Sequence, residues 1–176
     1  MCRPTISWGH SAPRCWPRCR DGLPVTRYVL TPDVALLLAR DRVVVPHEHA
    51  LVAPALMRSQ LVSLLYRAAA RGEVTEREAR AQLDHVRTLR LRLLGDRVLQ
   101  ATAWSIAAEL GWPDTLDAEY VAVTRLQADA LVTLDTGLAT QVSRLVEVAP
   151  VAVLLPDRAL ESRHQEGSPS GRWRRS

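Results

Sequence analysis

The chain has 176 residues, of which 47% are hydrophobic and 24% are charged, as in one globular domain with a core of moderate size. Its formal net charge of +4 comes from the two ends, because residues 27–160 contain 15 Arg against 16 Asp and Glu. This distribution excludes a broadly basic nucleic-acid platform on the folded part. Neither a run of about 18 apolar residues nor a signal-peptide pattern is present, so we expect a cytoplasmic protein without a membrane span.

The two ends of the chain differ from its middle in composition. Residues 1–26 contain four Pro and no hydrophobic periodicity, so we expect disorder, or an extension added by a start codon placed too far upstream. Cys2, Cys15 and Cys19 all lie there, without the two tight ligand pairs of a structural zinc site, and the sequence indicates no role for them. Residues 159–176 have the composition of a disordered basic tail. One domain is therefore predicted at residues 27–158.

Strand-like and helix-like segments alternate within that domain. Short apolar runs predict strands at residues 27–30, 91–94 and 131–134, a last strand within 146–155, and an extended piece at 43–45 or 50–52. Apolar residues three and four apart, bounded by caps and glycine stops, predict helices at 32–39, 54–71, 75–89, 96–110, 116–127 and 136–145. This alternation predicts an α/β fold in which helices cover both faces of a parallel sheet.

Three acids fall near the ends of these segments. Asp33 lies in the first turn of the first helix, Asp117 in the first turn of a later helix, and Asp135 directly after the LVTL strand. Because sites in open parallel sheets lie at the carboxyl ends of the strands, we expect these carboxylates to converge. Each Asp alone is explained as a helix cap. If they meet, their repulsion demands a cation, and hard oxygen ligands suit Mg²⁺ or Mn²⁺.

Further polar residues flank these acids. Asp114 and Glu119 lie on either side of Asp117, and Thr133 precedes Asp135 by two residues. On a helix, Glu119 points away from Asp117, whereas Asp114 shares its face if the turn is helical. A cation held by such a group activates water and neutralises charge on a phosphodiester, so metal-assisted phosphodiester hydrolysis is the predicted chemistry.

Three segments resemble a known family. YVLTPDVALLLA is similar to the opening of PIN domains, and WPDTLDAEYVAVTRLQADALVTLDTGLA to the PIN signature in which one Asp opens a helix and another ends the next strand. LLGDRVLQATAWSIAAELGWPDTLDAEYVA resembles actinobacterial VapC-like proteins in particular. The resemblance spans residues 27–155. It implies a PIN-like three-layer fold with a central, mainly parallel sheet of four or five strands flanked by helices, and a Mg²⁺-dependent endoribonuclease, the toxin of a VapBC-type toxin–antitoxin system.

The resemblance also assigns site residues. Asp117 and Asp135 match the third and fourth acids of the family's metal site, and Asp33 the first, although Thr31 stands directly after the strand. The family's second acid, a Glu, corresponds to Gln60 in APALMRSQLVSLL, which we expect to complete the ligand shell. An amide oxygen can ligate Mg²⁺ but adds no charge, so the resemblance implies weakened metal affinity and turnover.

The implied partners are an RNA substrate, a cognate VapB-like antitoxin and a second copy of the chain. Arg58, near Gln60, is a candidate RNA contact, although most Arg residues are expected to be surface charge. The apolar face of the long helix is predicted to be core or a homodimer face; it consists of Leu61, Leu64, Leu65 and Ala68. The alternative function is a catalytically weakened or inactive PIN-like domain that binds protein or RNA. A Rossmann-like nucleotide binder is disfavoured, because no Gly-rich loop is present.

Other conspicuous residues are given ordinary explanations. The His47-Glu48-His49 run is expected to be a solvated loop. Arg90 and Arg92 are interpreted mainly as surface charge on one face of a strand, with contact to an RNA backbone as the alternative. Trp104 and Trp112 are predicted to pack in the core or at its edge.

Overall fold

The computed structural model describes residues 25–156. The tail predicted at residues 159–176 and most of the extension predicted at residues 1–26, including the three Cys, lie outside the described residues. Thr26 already belongs to the first strand, so regular structure begins one residue before the predicted boundary. Within the described range, no helix combines the length and apolar character needed to cross a bilayer.

The centre of the fold is a five-stranded sheet with the strand order β3-β2-β1-β4-β5. All four strand pairings are parallel. The predicted α/β class and the four or five mainly parallel strands are therefore confirmed. The strands are β1 (Thr26–Leu30), β2 (His49–Pro54), β3 (Arg92–Leu94), β4 (Ala130–Val132) and β5 (Val148–Ala149).

Helices connect the strands and flank the sheet. They are α1 (Pro32–Arg40), α2 (Met57–Ala70), α3 (Glu76–Thr88), α4 (Arg97–Leu110), α5 (Leu116–Gln127), α6 (Thr136–Val142) and a final 3₁₀ turn (Val151–Leu154). α5 packs on β1, β2 and β4 and also against α4, while α1, α2 and α3 pack on one another. The capping box of Thr75 and Glu78 is formed as predicted, and Gly111 ends α4 with a φ of 66°.

The core lies on the central strands and on α5. Val29, Leu30, Leu131 and Val132 are fully buried. Strands that are covered on both faces are continuous apolar runs rather than alternating ones, as the YVL and ALV segments are. α5 is buried along most of its length, including Tyr120. The helix that carries Asp117 is therefore fixed rigidly to the sheet.

Three local predictions need correction, and one open alternative is settled. Pro54 ends β2 instead of opening the long helix, a position where a strand tolerates its missing N–H. β4 stops at Val132, so Asp135 follows the strand by three residues and caps α6 instead of ending the strand directly. The extended piece expected at residues 43–45 or 50–52 forms only at the second place, within β2. Trp104 is 73% exposed, because it lies on the outer face of α4.

Thr31, which stands where the PIN resemblance expects an acid, is a structural residue. It is 4% exposed, and both its backbone N–H and its Oγ1 hydroxyl donate to the carbonyl oxygen of Val132, each at 3.2 Å. It therefore joins the end of β1 to the end of β4.

Thr31→Val is expected to lower the free energy of unfolding by about 1 kcal/mol, because the isosteric side chain loses a buried hydrogen bond. Urea unfolding followed by circular dichroism measures the change. Thr102→Val is the matched control, since the Thr102 hydroxyl donates to Val98 on an exposed helix surface. Equal effects of the two substitutions would contradict a joining role for Thr31.

Candidate functional site

The parallel sheet brings the predicted acids to one edge. Asp33 lies in the first turn of α1, directly after β1, and Asp135 is the N-cap of α6, shortly after β4. β1 and β4 are hydrogen-bonded neighbours and run in the same direction, so both loops leave the sheet at its carboxyl edge. Asp117, in the first turn of α5, reaches the same edge.

Asp33 is fixed across that edge. Its Oδ2 accepts a hydrogen bond from the backbone N–H of Leu134 at 2.8 Å, although 101 residues separate the two in sequence. The bond holds the β1–α1 turn against the β4–α6 loop and leaves Oδ1 of Asp33 as the oxygen that can bind a ligand.

Asp135 is held in the same way by its own helix. Its Oδ1 accepts from the N–H groups of Gly137 at 2.7 Å and Leu138 at 3.0 Å, and its backbone N–H donates to Thr133 Oγ1 at 3.1 Å. A Cβ at Gly137 would lie 3.1 Å from Asp135 Oδ1, so this close approach favours glycine. Thr133 therefore supports the loop geometry, and Oδ2 of Asp135 is left for a ligand.

The pKa of Asp117 is raised in this group of acids. Partial desolvation of its carboxyl group raises its pKa, and the charges of Asp114, Asp135 and Asp33 raise it further. Three neighbouring carboxylates are thus close enough to Asp117 to disfavour its charged form. Asp114 also accepts from the N–H of Leu116 at 2.9 Å, which fixes the turn before α5.

A hydrogen bond from Tyr120 connects Gln60 to the helix that carries Asp117. The buried phenol of Tyr120 donates to Gln60 Oε1 at 2.5 Å, which joins α2 to α5. Burial raises the pKa of Tyr120, as do the charges of Asp117, Glu119 and Asp33, so the phenol remains a protonated donor. Sequence reasoning missed Tyr120; its signal was its place three residues after Asp117, on the same helix face.

Two predicted residues do not join the group. The pKa of Glu119 is raised by burial alone, and its charge is not among those that raise the pKa of Asp117. This agrees with its expected orientation away from Asp117. Arg58 is exposed in the first turn of α2 and forms no ion pair with any residue in the range 25–156.

A cavity of about 230 Å³ lies beside the acids. Asp114, Asp117 and Asp135 line it, and so do Trp112 and Gln141. Trp112 Nε1 donates to Gln141 Oε1 at 2.8 Å, a hydrogen bond that joins α6 to the turn before α5. Trp112 packs partly against the core, as predicted, but its cavity position and that of Gln141 were missed.

The donor chemistry of the group fits a hard divalent cation. Carboxylate and amide oxygens are the ligands that Mg²⁺ and Mn²⁺ prefer. Burial is the main cause of the raised pKa of Asp117, and the neighbouring negative charges, which a cation would neutralise, raise it further. The side chains do not form a closed ligand shell: across residues 25–156, no group of three or more His, Cys, Asp or Glu is arranged to hold a metal ion.

No family model and no curated protein matches this chain. Among solved structures, the chain is similar to PAE2754 from Pyrobaculum aerophilum, with 19% sequence identity and a TM-score of 0.52 over 80% of this chain and 98% of that one. It is similar to VapBC2 from Rickettsia felis, solved bound to a DNA fragment from their promoter, with 10% identity and a TM-score of 0.53 over 71% and 98%.

A further similarity is to VapBC-1 from nontypeable Haemophilus influenzae, with 14% identity and a TM-score of 0.50 over 72% of this chain and 99% of that one. At these identities the similarities concern the fold alone. They confirm the expected PIN-like arrangement of a central parallel sheet flanked by helices.

Asp117→Asn is expected to raise the midpoint of thermal unfolding near neutral pH without added metal, because it removes a carboxylate charge that is partly desolvated and repelled by neighbouring acids. The folded protein holds the Asp117 proton more tightly than the unfolded chain does. Stability therefore falls as the pH rises from the pKa of an unfolded Asp, about 3.9, through the higher folded pKa. The gain should vanish below both pKa values.

Thermal unfolding measured from about pH 3 to about pH 8 tests this dependence. Asp84→Asn is the control, because Asp84 is an exposed carboxylate paired only with Arg87 on α3. A stabilisation of Asp117→Asn that stayed constant with pH would contradict the charge of Asp117 as its cause.

Proposed function

We propose that this chain is a metal-dependent endoribonuclease of the PIN type and the toxin of a VapBC-type pair. The proposal is carried by one observation: Asp33, Asp117 and Asp135 come from separate segments, yet lie close enough at the carboxyl edge to raise the pKa of Asp117. Repulsion of this kind destabilises the apoprotein, which favours a site that works with a bound cation.

The fold comparisons support the same proposal from another direction. Two of the similar structures are VapBC proteins, and the PIN resemblance of the sequence covers the segments that carry the acids. An antitoxin of the VapB kind is accordingly the proposed partner. Leu116 and Leu134, each adjacent to a site acid, are 49% and 45% exposed and give the site an apolar rim that such a partner would cover.

Asp33, Asp117 and Asp135 are the proposed ligands of Mg²⁺ or Mn²⁺, with Asp114 as a supporting charge. When bound, the cation would supply Lewis-acid polarisation of an RNA phosphodiester and activation of water. The backbone hydrogen bonds at Asp33 and Asp135 hold one oxygen of each carboxylate, which orients the other oxygen and lowers the cost of ordering the site.

Gln60 is the proposed neutral fourth ligand. Because Tyr120 donates to Gln60 Oε1, that oxygen keeps one lone pair for a cation, while the amide NH₂ remains a donor for a phosphate oxygen. The substitution of Gln for Glu lowers the negative charge of the site by one unit. Moderate metal affinity and slow turnover are the expected consequences.

The second candidate function is a PIN-like binding module without catalysis. It is favoured by Gln60 and by the finding that no group of three or more ligating side chains is assembled within the described part of the chain. Metal binding and RNA cleavage separate the two functions.

The full-length protein is expected to cleave single-stranded RNA in Mn²⁺ or Mg²⁺ and to lose this activity in EDTA. Asp117→Asn should lower the rate by a factor of about 100 or more, because it removes a ligand charge. Gel analysis of a labelled RNA measures cleavage, and calorimetry measures Mn²⁺ binding. Asp84→Asn, on α3, should behave as wild type.

Wild type that neither binds Mn²⁺ nor cuts RNA would leave the binding-module function as the conclusion. Cleavage that persisted equally in Asp117→Asn would assign the activity to a contaminant or to another site.

Gln60→Glu is expected to raise Mn²⁺ affinity about tenfold, because affinity in such sites rises with ligand charge. Without metal the same variant should be less stable than wild type, since a further carboxylate joins the repelling group. Mn²⁺ should therefore raise its unfolding temperature more than that of wild type. Gln60→Met is the uncharged control; an affinity gain in both variants would exclude a charge effect.

A second copy of the chain is the other proposed partner. Tyr66 on α2 and Trp104 on α4 are 74% and 73% exposed, and large exposed aromatic side chains are typical of association surfaces. Leu61 and Leu65, predicted as core or homodimer face, are buried within the protomer, so they belong to its interior.

A further inference from the structure

A second cavity, of about 510 Å³, lies at the opposite edge of the sheet from the acids. Arg27 near the start of β1 and His49 at the start of β2 line it at the amino-terminal edge, where Thr26 pairs with His49 and Arg27 with Ala50. Arg92 in β3 also lines it, but pairs with Val52 further along β2, so the cavity extends along the outer strands. It shares no lining residue with the acidic cavity.

Its outer wall is built from residues 43–47, and hydrogen bonds fix this wall. His85 Nε2 lies 3.1 Å from the carbonyl oxygen of Val43, and the Val43 N–H donates to Leu38 at 2.9 Å. The His49 N–H donates to the carbonyl oxygen of Pro46 at 3.1 Å, which closes the turn into β2. The cavity is thus preformed by packed segments.

The charge of the lining is entirely positive. Arg27, Arg90 and Arg92 line the cavity together with His47 and His49, and no Asp or Glu within residues 25–156 is part of the lining. The sequence alone predicts a solvated loop for His47 and His49 and surface charge for Arg90 and Arg92. The structure brings both to one cavity, where they favour an anionic ligand.

Two of the three guanidinium groups are available to such a ligand. Neither Arg27 nor Arg90 forms an ion pair with any described residue. Asp129 is the neighbouring acid, and its Oδ2 accepts from the backbone N–H of Arg27 at 2.8 Å, which uses that oxygen for the strand end. Guanidinium groups without such an ion pair can donate hydrogen bonds to the oxygen atoms of a phosphate.

Part of the remaining lining is apolar and buried, although it also includes the exposed residues Val44, Thr88 and Gln127. Leu51, Val52 and Leu89 are each less than a tenth exposed and form part of the cavity surface. The His49 ring also lines the cavity and is held edge-to-face against Tyr28, with ring centroids 5.2 Å apart. An inorganic anion alone would leave this apolar surface exposed to water, whereas a ligand that also carries a flat apolar ring would cover it.

His49 adds an unsatisfied polar atom. Its Nδ1 is buried and has no hydrogen-bond partner among the described residues. Buried polar atoms are nearly always paired, so this nitrogen is an exception within the described residues.

We propose that this cavity binds a nucleoside monophosphate, with its phosphate on Arg27 and Arg90 and its base on the apolar surface near His49. The volume lies within the range of about 300–1,000 Å³ typical of small-molecule sites. Recognition requires both the charge and the flat ring, and the site is independent of the proposed nuclease.

Isothermal titration calorimetry of the full-length protein with AMP, adenosine and inorganic phosphate tests the proposal. AMP should bind at least tenfold more tightly than either of the other two. Arg27→Gln with Arg90→Gln should weaken AMP binding at least tenfold, whereas the charge-matched pair Arg77→Gln with Arg144→Gln should not. Arg77 and Arg144 line none of the cavities described above.

Ala50→Trp provides a test that removes no charge. Ala50 pairs with Arg27 across the sheet and lines the cavity, so a Trp there fills it and should abolish AMP binding. Circular dichroism verifies the fold of each variant, and the Arg pair remains as the test if Ala50→Trp is misfolded. Asp117→Asn should bind AMP as wild type does, which separates this site from the nuclease.

Several outcomes would overturn the proposal. These are absence of AMP binding, equal loss in the two Arg pairs, and adenosine or phosphate binding as tightly as AMP. Binding of an RNA oligonucleotide without binding of AMP would likewise assign the cavity to a polynucleotide and overturn it.

Discussion

Parallel pairing of β1 with β4 is the constraint on which the rest of the molecule depends. It places two loops that are about 100 residues apart in sequence at one edge, where Thr31 and Asp33 bond to Val132 and Leu134. These bonds close a loop of about 100 residues of chain, and the entropy lost in closing it must be offset by burial of both strands. Because β1 and β4 are buried on both faces, the sheet supplies that offset.

The same constraint creates an electrostatic cost at the carboxyl edge. Strand ends and helix N-termini favour Asp for capping, and a parallel sheet then collects those caps in one place. Backbone N–H groups satisfy one oxygen of Asp33 and of Asp135, so the charges are partly compensated by dipoles rather than by cations. No hydrogen bond is among the causes of the Asp117 pKa shift. Burial raises that pKa, and the charges of the neighbouring acids raise it further.

The two edges of the sheet carry opposite charge. Acids gather at the carboxyl edge and the cavity at the amino edge is lined by Arg and His, although residues 27–160 are nearly neutral as a whole. The near-zero net charge of residues 27–160 therefore does not show that negative and positive side chains are concentrated separately, each group beside its own cavity. A nearly neutral domain can bind a cation at one edge and an anion at the other without large self-repulsion.

The sequence by itself determined most of the elements and pointed to three acids, Asp33, Asp117 and Asp135, that the structure brings to one edge. Capping at Thr75 and Asp96, the stop at Gly111 and the apolar strand segments are local signals, because they depend on hydrogen bonds and burial within a few residues. Contacts between distant segments carry no such signal. The Tyr120–Gln60 bond, the buried role of Thr31 and the shared cavity of His49 with Arg90 were decided only by tertiary structure, which brings together residues that no periodicity connects.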